Sequence, residues 1–248
     1  MTYWSGNTAT SIEEIAPSLH MITSTREAKT GVGRKHAYLL QTRLGNLLFH
    51  GPNLPDWYRE HGDEIDARGG VALQVMNHSG DASKASSLVA ERWNAPCYVH
   101  RGDADEVKRV LAGENLQTFV RSHRLCEDVE AIYVPSHSLG FTCFVWTCRD
   151  ARFLFSSHLI TKTRKGWGAA FVHPLLLETG LASLEQMRTL EVAYLLPTES
   201  VGAKADEGAP PIAFGAPERK QAIDFAVRHI KQAARRFAER KGIAVDDV

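Results

Sequence analysis

The sequence has no excess of charge of either sign. Its 248 residues carry 29 Lys and Arg against 29 Asp and Glu, a formal net charge of zero with the histidines neutral. A broad electrostatic footprint for nucleic acid or an anionic membrane needs a basic surplus, so neither partner is expected. Cysteine is scarce as well. Cys97, Cys126, Cys143 and Cys148 are scattered and form no CxxC pair, so they are expected to be reduced and mostly buried, with Cys97, Cys143 and Cys148 in strands. No apolar run approaches the ~20 residues of a membrane span. The opening MTYWSGNTATSIEEIAPSLH has neither a basic leader nor an apolar signal segment, which gives the expectation of a cytoplasmic protein. There is no GxxxxGK[ST] loop and no GxSxG elbow, and Gly31-Val32-Gly33 precedes a strand instead of opening a helix. A phosphate-cradling loop and an activated serine therefore lack support.

What is present fits a folded α/β chain. Apolar residues make up 44% of the sequence, enough to fill a core and to exclude disorder. HAYLLQT, a Gly-containing turn and NLLFH read as a hairpin over 36–50. A helix over 56–67 ends at Gly69 and Gly70. VALQVM is apolar almost without interruption, the pattern of a strand covered on both faces. The loop NHSGDAS, a helix over 82–93, the strand PCYVH and a helix over 104–111 follow. LQTFV, VEAIYVP, FTCFVWT and ARFLFSS form a β series, then come a helix over 182–190 and the strand VAYLLP. Residues 200–217 read as a Gly/Ala/Pro-rich surface loop. In the last helix, 218–241, Ala222, Phe225, Ala226, Ile230, Ala233 and Phe237 make one apolar stripe. Arg228, Lys231, Arg235, Arg236 and Arg240 read as its solvated face. No internal repeat is evident. The order predicts helices outside paired sheets.

Three of the eleven histidines stand at strand ends: His78 after VALQVM, His137 in VPSHSLG and His158 after ARFLFSS. Strand-end loops are where an α/β fold places its sites. Neutral imidazole suits zinc or iron, and three together leave a fourth position for water. Taken singly, each histidine reads first as a hydrogen-bonded structural residue, so the argument rests on their joint placement.

The order of segments resembles the metallo-β-lactamase superfamily. RLGNLLFHGP resembles its opening hairpin, VALQVMNHSGDAS its strand and HxHxDH metal loop, and APCYVHRGDADEV the stretch that follows. VPSHSLGFTCFVW resembles the Pro-Gly-His-Thr-Pro-Gly segment, ARFLFSSHLI the strand ending in Gly-Asp, and VAYLLPTES the strand ending in Pro-Gly-His-Gly. The resemblance implies a four-layer αββα sandwich, formed as a single domain over 1–248. The metal loop departs from the family pattern. HxHxDH becomes His78-Ser79-Gly80-Asp81-Ala82-Ser83, His158 replaces the bridging Asp, Glu199 the last His, and His50 the Asp of the opening strand.

What the resemblance implies is therefore narrowed. Two ions are not expected, because the second site has lost its loop ligands. One zinc or iron ion at His78, His137 and His158 is one reading, with Glu199 or Asp81 as a further ligand or as general base. The other is no metal, with the histidines hydrogen-bonded through water. The first implies a hydrolase acting on a small ester, thioester or lactone. The second implies a non-catalytic relative that binds a small molecule or a partner in the former cleft. Lys162, Arg164 and Lys165 read as a surface loop or as contacts for an anionic substrate. Trp167 and Phe171 read as pocket lining or as a homo-oligomer contact.

Overall fold

The computed structural model describes residues 8–28, 31–49, 55–111, 115–163, 166–170, 172, 176–202 and 209–241. His50, Arg164, Lys165 and Phe171 lie outside them. The first sheet has the order β1 (Thr8–Ala16), β2 (Leu19–Ala28), β3 (Gly31–Thr42), β4 (Gly45–Phe49), β5 (Leu73–Val75), β6 (Cys97–His100) and β7 (Leu116–Phe119), with β15 (Glu199–Gly202) paired to β3. It is antiparallel from β1 to β4 and parallel from β4 to β7. Parallel neighbours need crossovers, supplied by α1 (Pro55–Ala67), α2 (Lys84–Trp93) and α3 (Ala104–Leu111).

The second sheet has the order β16 (Ile212–Ala213), β14 (Tyr194–Pro197), β11 (Ala151–Ser157), β10 (Thr142–Cys148), β9 (Val129–Tyr133) and β8 (His123–Arg124). A separate two-stranded antiparallel sheet pairs β12 (Ile160–Thr163) with β13 (Gly166–Ala169). Helices α4 (Leu177–Arg188) and α5 (Ala216–Lys241) cover the outer face.

Strand alternation explains the four layers, because successive side chains point to opposite faces. On β3, Tyr38 and Leu40 enter the space between the sheets, while Ala37 and Leu39 face the helices. On β10, Phe144 and Trp146 point between the sheets, and Cys143 and Val145 pack under α4 and α5. Phe49 of the first sheet stacks on Phe155 of the second at 3.9 Å between ring centroids. Such a pair contributes about 0.5–1.5 kcal/mol beyond the area it buries. Tyr38 meets Phe155 edge-on and donates its hydroxyl to the Pro197 carbonyl at 2.6 Å.

The αββα expectation holds. The structure differs from the sequence reading in three stretches. The N-terminal hairpin of β1 and β2 was not apparent, because TSIEEIA and MITSTREA mix polar residues into both faces. Within 200–217, strand structure appears where β15 pairs with β3 and β16 with β14. Residues 161–163 and 166–168, read as a loop, lie in the paired strands β12 and β13, where Lys162 lies 4.1 Å above the Trp167 ring. Among the described residues, no helix is long and apolar enough to cross a membrane.

Candidate metal centre

The site forms where β5, β6 and β11 end and where the β9–β10 connection turns. Asn77 locks the two sheets together at this rim. Its side-chain amide donates to the Thr142 carbonyl at 2.7 Å and to the Phe155 carbonyl at 3.0 Å. The chain then tightens into a 3₁₀ turn over Ser79–Asp81. Gly80 N–H donates to His78 Nδ1 at 2.8 Å. A Cβ at Gly80 would lie 2.4 Å from His78 Cε1, so only glycine admits the ring there. The buried Asp81 carboxylate closes the turn by accepting from Asn77 N at 2.9 Å and His78 N at 3.2 Å.

The same device recurs at the next strand. His100-Arg101-Gly102-Asp103 repeats the pattern HxGD of His78-Ser79-Gly80-Asp81. Gly102 N–H donates to His100 Nδ1 at 3.0 Å, and the second 3₁₀ turn covers Arg101–Asp103. Asp103 is the functional residue that the sequence reading missed, and the repeated tetrapeptide was the available signal. Its buried carboxylate accepts from Ser79 N at 3.0 Å, Ser138 Oγ at 2.5 Å and Gly140 N at 2.9 Å. One side chain thus ties the His78 turn to the loop that carries His137.

His158 follows Ser157, whose φ of 50° lies in the left-handed region. A non-glycine residue adopts that conformation at a cost of about 1 kcal/mol or more, and such strain gathers at functional sites. Ser157 Oγ lies 3.4 Å from Asp81, 3.1 Å from His158 Nδ1 and 3.3 Å from Thr198 Oγ1.

These elements bring the three histidines together. One nitrogen from each of His78, His137 and His158 lies within 4.8 Å of the others. Ring centroids are 5.1 Å apart for His78 and His137, 4.6 Å for His78 and His158, and 4.7 Å for His137 and His158. His78 Nε2 and His158 Nδ1 are separated by 3.3 Å. Tetrahedral zinc with bonds of ~2.0–2.1 Å sets its nitrogens about 3.3 Å apart. Burial pushes the pKa of His78 down to about 3, with His137 adding to it. Burial does the same to His158, also about 3, helped by His78, His137 and Lys35. Both rings are therefore neutral at pH 7, the protonation state that a metal requires. A cavity of about 460 Å³ opens beside them, lined by His78, His137, Ser79, Ser138, Asp103, Glu106, Leu139 and Leu176 among others.

No protein-family profile and no curated protein matches this sequence. Solved structures do. A metallo-beta-lactamase motif mutant from Cronobacter sakazakii superposes with a TM-score of 0.63 at 17% identity, over 91% of this chain and 98% of that one. This chain has the metallo-β-lactamase fold. The FIM-1 metallo-beta-lactamase from Pseudomonas aeruginosa, in its mono-zinc form, gives 0.63 at 10% identity over 91% and 96% of the two chains. A flavo di-iron protein variant from Thermotoga maritima gives 0.63 at 12% identity over 91% of this chain and 63% of that one.

Of the residues expected at the site, His78, His137 and His158 meet, and the group they form includes neither Glu199 nor Asp81. Pairing of β15 with β3 sets Glu199 opposite Lys35, and their side chains form an ion pair at 3.5 Å. Asp81 lies 3.4 Å from His78 Nε2 but is fully buried. Its oxygens are engaged by two backbone amides and Ser157, so it orients the turn and does not face the cavity. Burial raises its pKa to about 7 against the pull of those donors.

Proposed function

We propose that this chain is a hydrolase-like protein that holds one metal ion at His78, His137 and His158 and acts on a small ester, thioester or lactone. The observation that carries the reading is the convergence of three imidazoles, from residues 78, 137 and 158, beside one cavity. The donor set fits an ion in spacing and in having an open side, and His78 and His158 are neutral. The acyl substrate class rests on the likeness of fold. When bound, zinc or ferrous iron supplies a Lewis acid and a water of lowered pKa.

The chain's own residues position and protect that centre. Asp103 fixes the two turns that present His78 and His137. Phe141 stacks on the His78 ring at 5.3 Å and excludes water from one face. Asp81 holds the His78 backbone. His78 must also exchange its proton. Its Nδ1 accepts from Gly80 N–H, so the neutral ring carries hydrogen on Nε2, facing His158 Nδ1 at 3.3 Å and Asp81 at 3.4 Å. An ion held through Nε2 would require that hydrogen on Nδ1 instead, and the Gly80 N–H would then have to turn away.

The same hydrogen bonds favour a second reading, a metal-free cleft that binds a small molecule. With Gly80, His78, His158, Ser157 and Asp81 satisfying one another, the network closes without an ion. Metal analysis of tag-free protein separates the two. About one equivalent of zinc, iron or manganese, retained after desalting, supports the first. Less than about a tenth of an equivalent, with no uptake on incubation with each ion, refutes it. Thermal stabilisation by metabolites that persists in chelator then supports the second.

A further inference from the structure

We propose that the cavity selects a small compound bearing an ammonium or quaternary ammonium group, and that Glu106 reads this charge. The inference rests on the reading of this cavity as the substrate site, and it names the class of compound that enters.

The charged side chains that line the cavity are Asp103 and Glu106, both acidic, and no Lys or Arg among the described residues joins them. Lys35 is ion-paired to Glu199, and Lys162 lies over the Trp167 ring. Asp103 has three donors on its two oxygens and supplies a field rather than a contact.

Glu106 differs from Asp103. It sits in the first turn of α3, where an acidic residue also suits the helix dipole. Asp105 satisfies that preference equally, yet it does not line the cavity. Glu106 does, because Ser79 Oγ donates to its Oε2 at 2.5 Å and holds the carboxylate beside His78. No ion pair engages it among the described residues. Leu139, which is 60% exposed, and Leu176 offer apolar surface to the rest of the ligand. An anionic compound entering here would meet the Asp103 and Glu106 carboxylates, with no Lys or Arg in the lining among the described residues.

The test uses three isosteric probes: choline, neutral 3,3-dimethylbutan-1-ol and anionic 3,3-dimethylbutanoate. Binding to the full chain is followed by NMR chemical-shift perturbation, with and without EDTA, in wild type and Glu106→Gln. Choline is expected to bind about fivefold more tightly than the neutral isostere, the scale of one partly exposed charge pair, with the anion weakest. Glu106→Gln brings choline and the alcohol to within about twofold while the metal content and melting temperature stay as in wild type. Tighter binding of the anion, an unchanged choline preference in Glu106→Gln, or no binding by any probe at 20 mM overturns the proposal. A charge preference that persists in metal-free protein keeps this inference while the metal-centre reading fails. A metal-loaded protein without the preference does the reverse.

Discussion

Asp103 makes the most demanding prediction. It is 3% exposed and accepts three hydrogen bonds, two from backbone amides and one from Ser138. Hydrogen bonds to a charged acceptor contribute about 1.5–3 kcal/mol each, and they do not add fully when they share one group. Asp103→Ala strands Ser79 N and Gly140 N and opens a void, so a loss of about 3–4 kcal/mol is expected. Asp103→Asn can direct its carbonyl at Ser79 and Ser138, but its amide then faces Gly140 N–H, donor against donor. About 2 kcal/mol is expected there. For a chain of this length that is roughly a 4–8 °C fall in melting temperature. Urea unfolding measures the energies, and hydrogen exchange at the Ser79 and Gly140 amides reports the local release. Both variants should also weaken metal uptake, since His78 and His137 ride on the freed turns. An Asp103→Asn protein within ~0.5 kcal/mol of wild type by urea unfolding, with the Gly140 amide still protected, would refute the bracing role.

Other outcomes follow from the same geometry. Gly80→Ala forces a Cβ to 2.4 Å from His78 Cε1; a loss of about 2 kcal/mol by urea unfolding and of metal uptake by elemental analysis is expected, and wild-type values for both would contradict the close approach. His137→Ala should abolish zinc-induced thermal stabilisation while leaving the melting temperature in EDTA within a few degrees of wild type. His36 is buried between Thr23 Oγ1 at 3.0 Å and Ser200 Oγ at 2.8 Å, with a pKa pushed down to about 3 by burial and then by Arg34. The native state therefore refuses a proton that the unfolded chain takes up near pH 6.5, so this contribution is full above that pH and falls as pH drops toward 3. About 1.4 kcal/mol should be lost by pH 5.5, and His36→Gln should remove that part of the difference between urea midpoints at pH 7 and 5.5. Equal pH dependence in the two proteins would count against a neutral His36.

The layers were legible because apolar periodicity is a local property. VALQVM, FTCFVWT and ARFLFSS carry enough apolar side chains to mark covered strands wherever they lie, and the helix over 218–241 shows its stripe without help. The positions of His78, His137 and His158 at strand ends could also be read, because a run of apolar residues followed by turn residues marks where a strand stops. The β1–β2 hairpin and β15 could not be read this way. Their polar residues become strand only through backbone pairing with β3, which no short window of sequence contains.

The meeting of the imidazoles depended on the tertiary structure. It requires Asn77 to bond the carbonyls of Thr142 and Phe155 across the two sheets, and Asp103 to draw two turns together. Glu199 shows the same dependence from the other side. Its place in the sequence suggested a ligand, but the register of β15 on β3 sets it against Lys35. Spacing along the chain determines which face of a strand a side chain takes. Which partners it finds there is decided by strand pairing between distant segments, whose closure entropy only the assembled sandwich offsets.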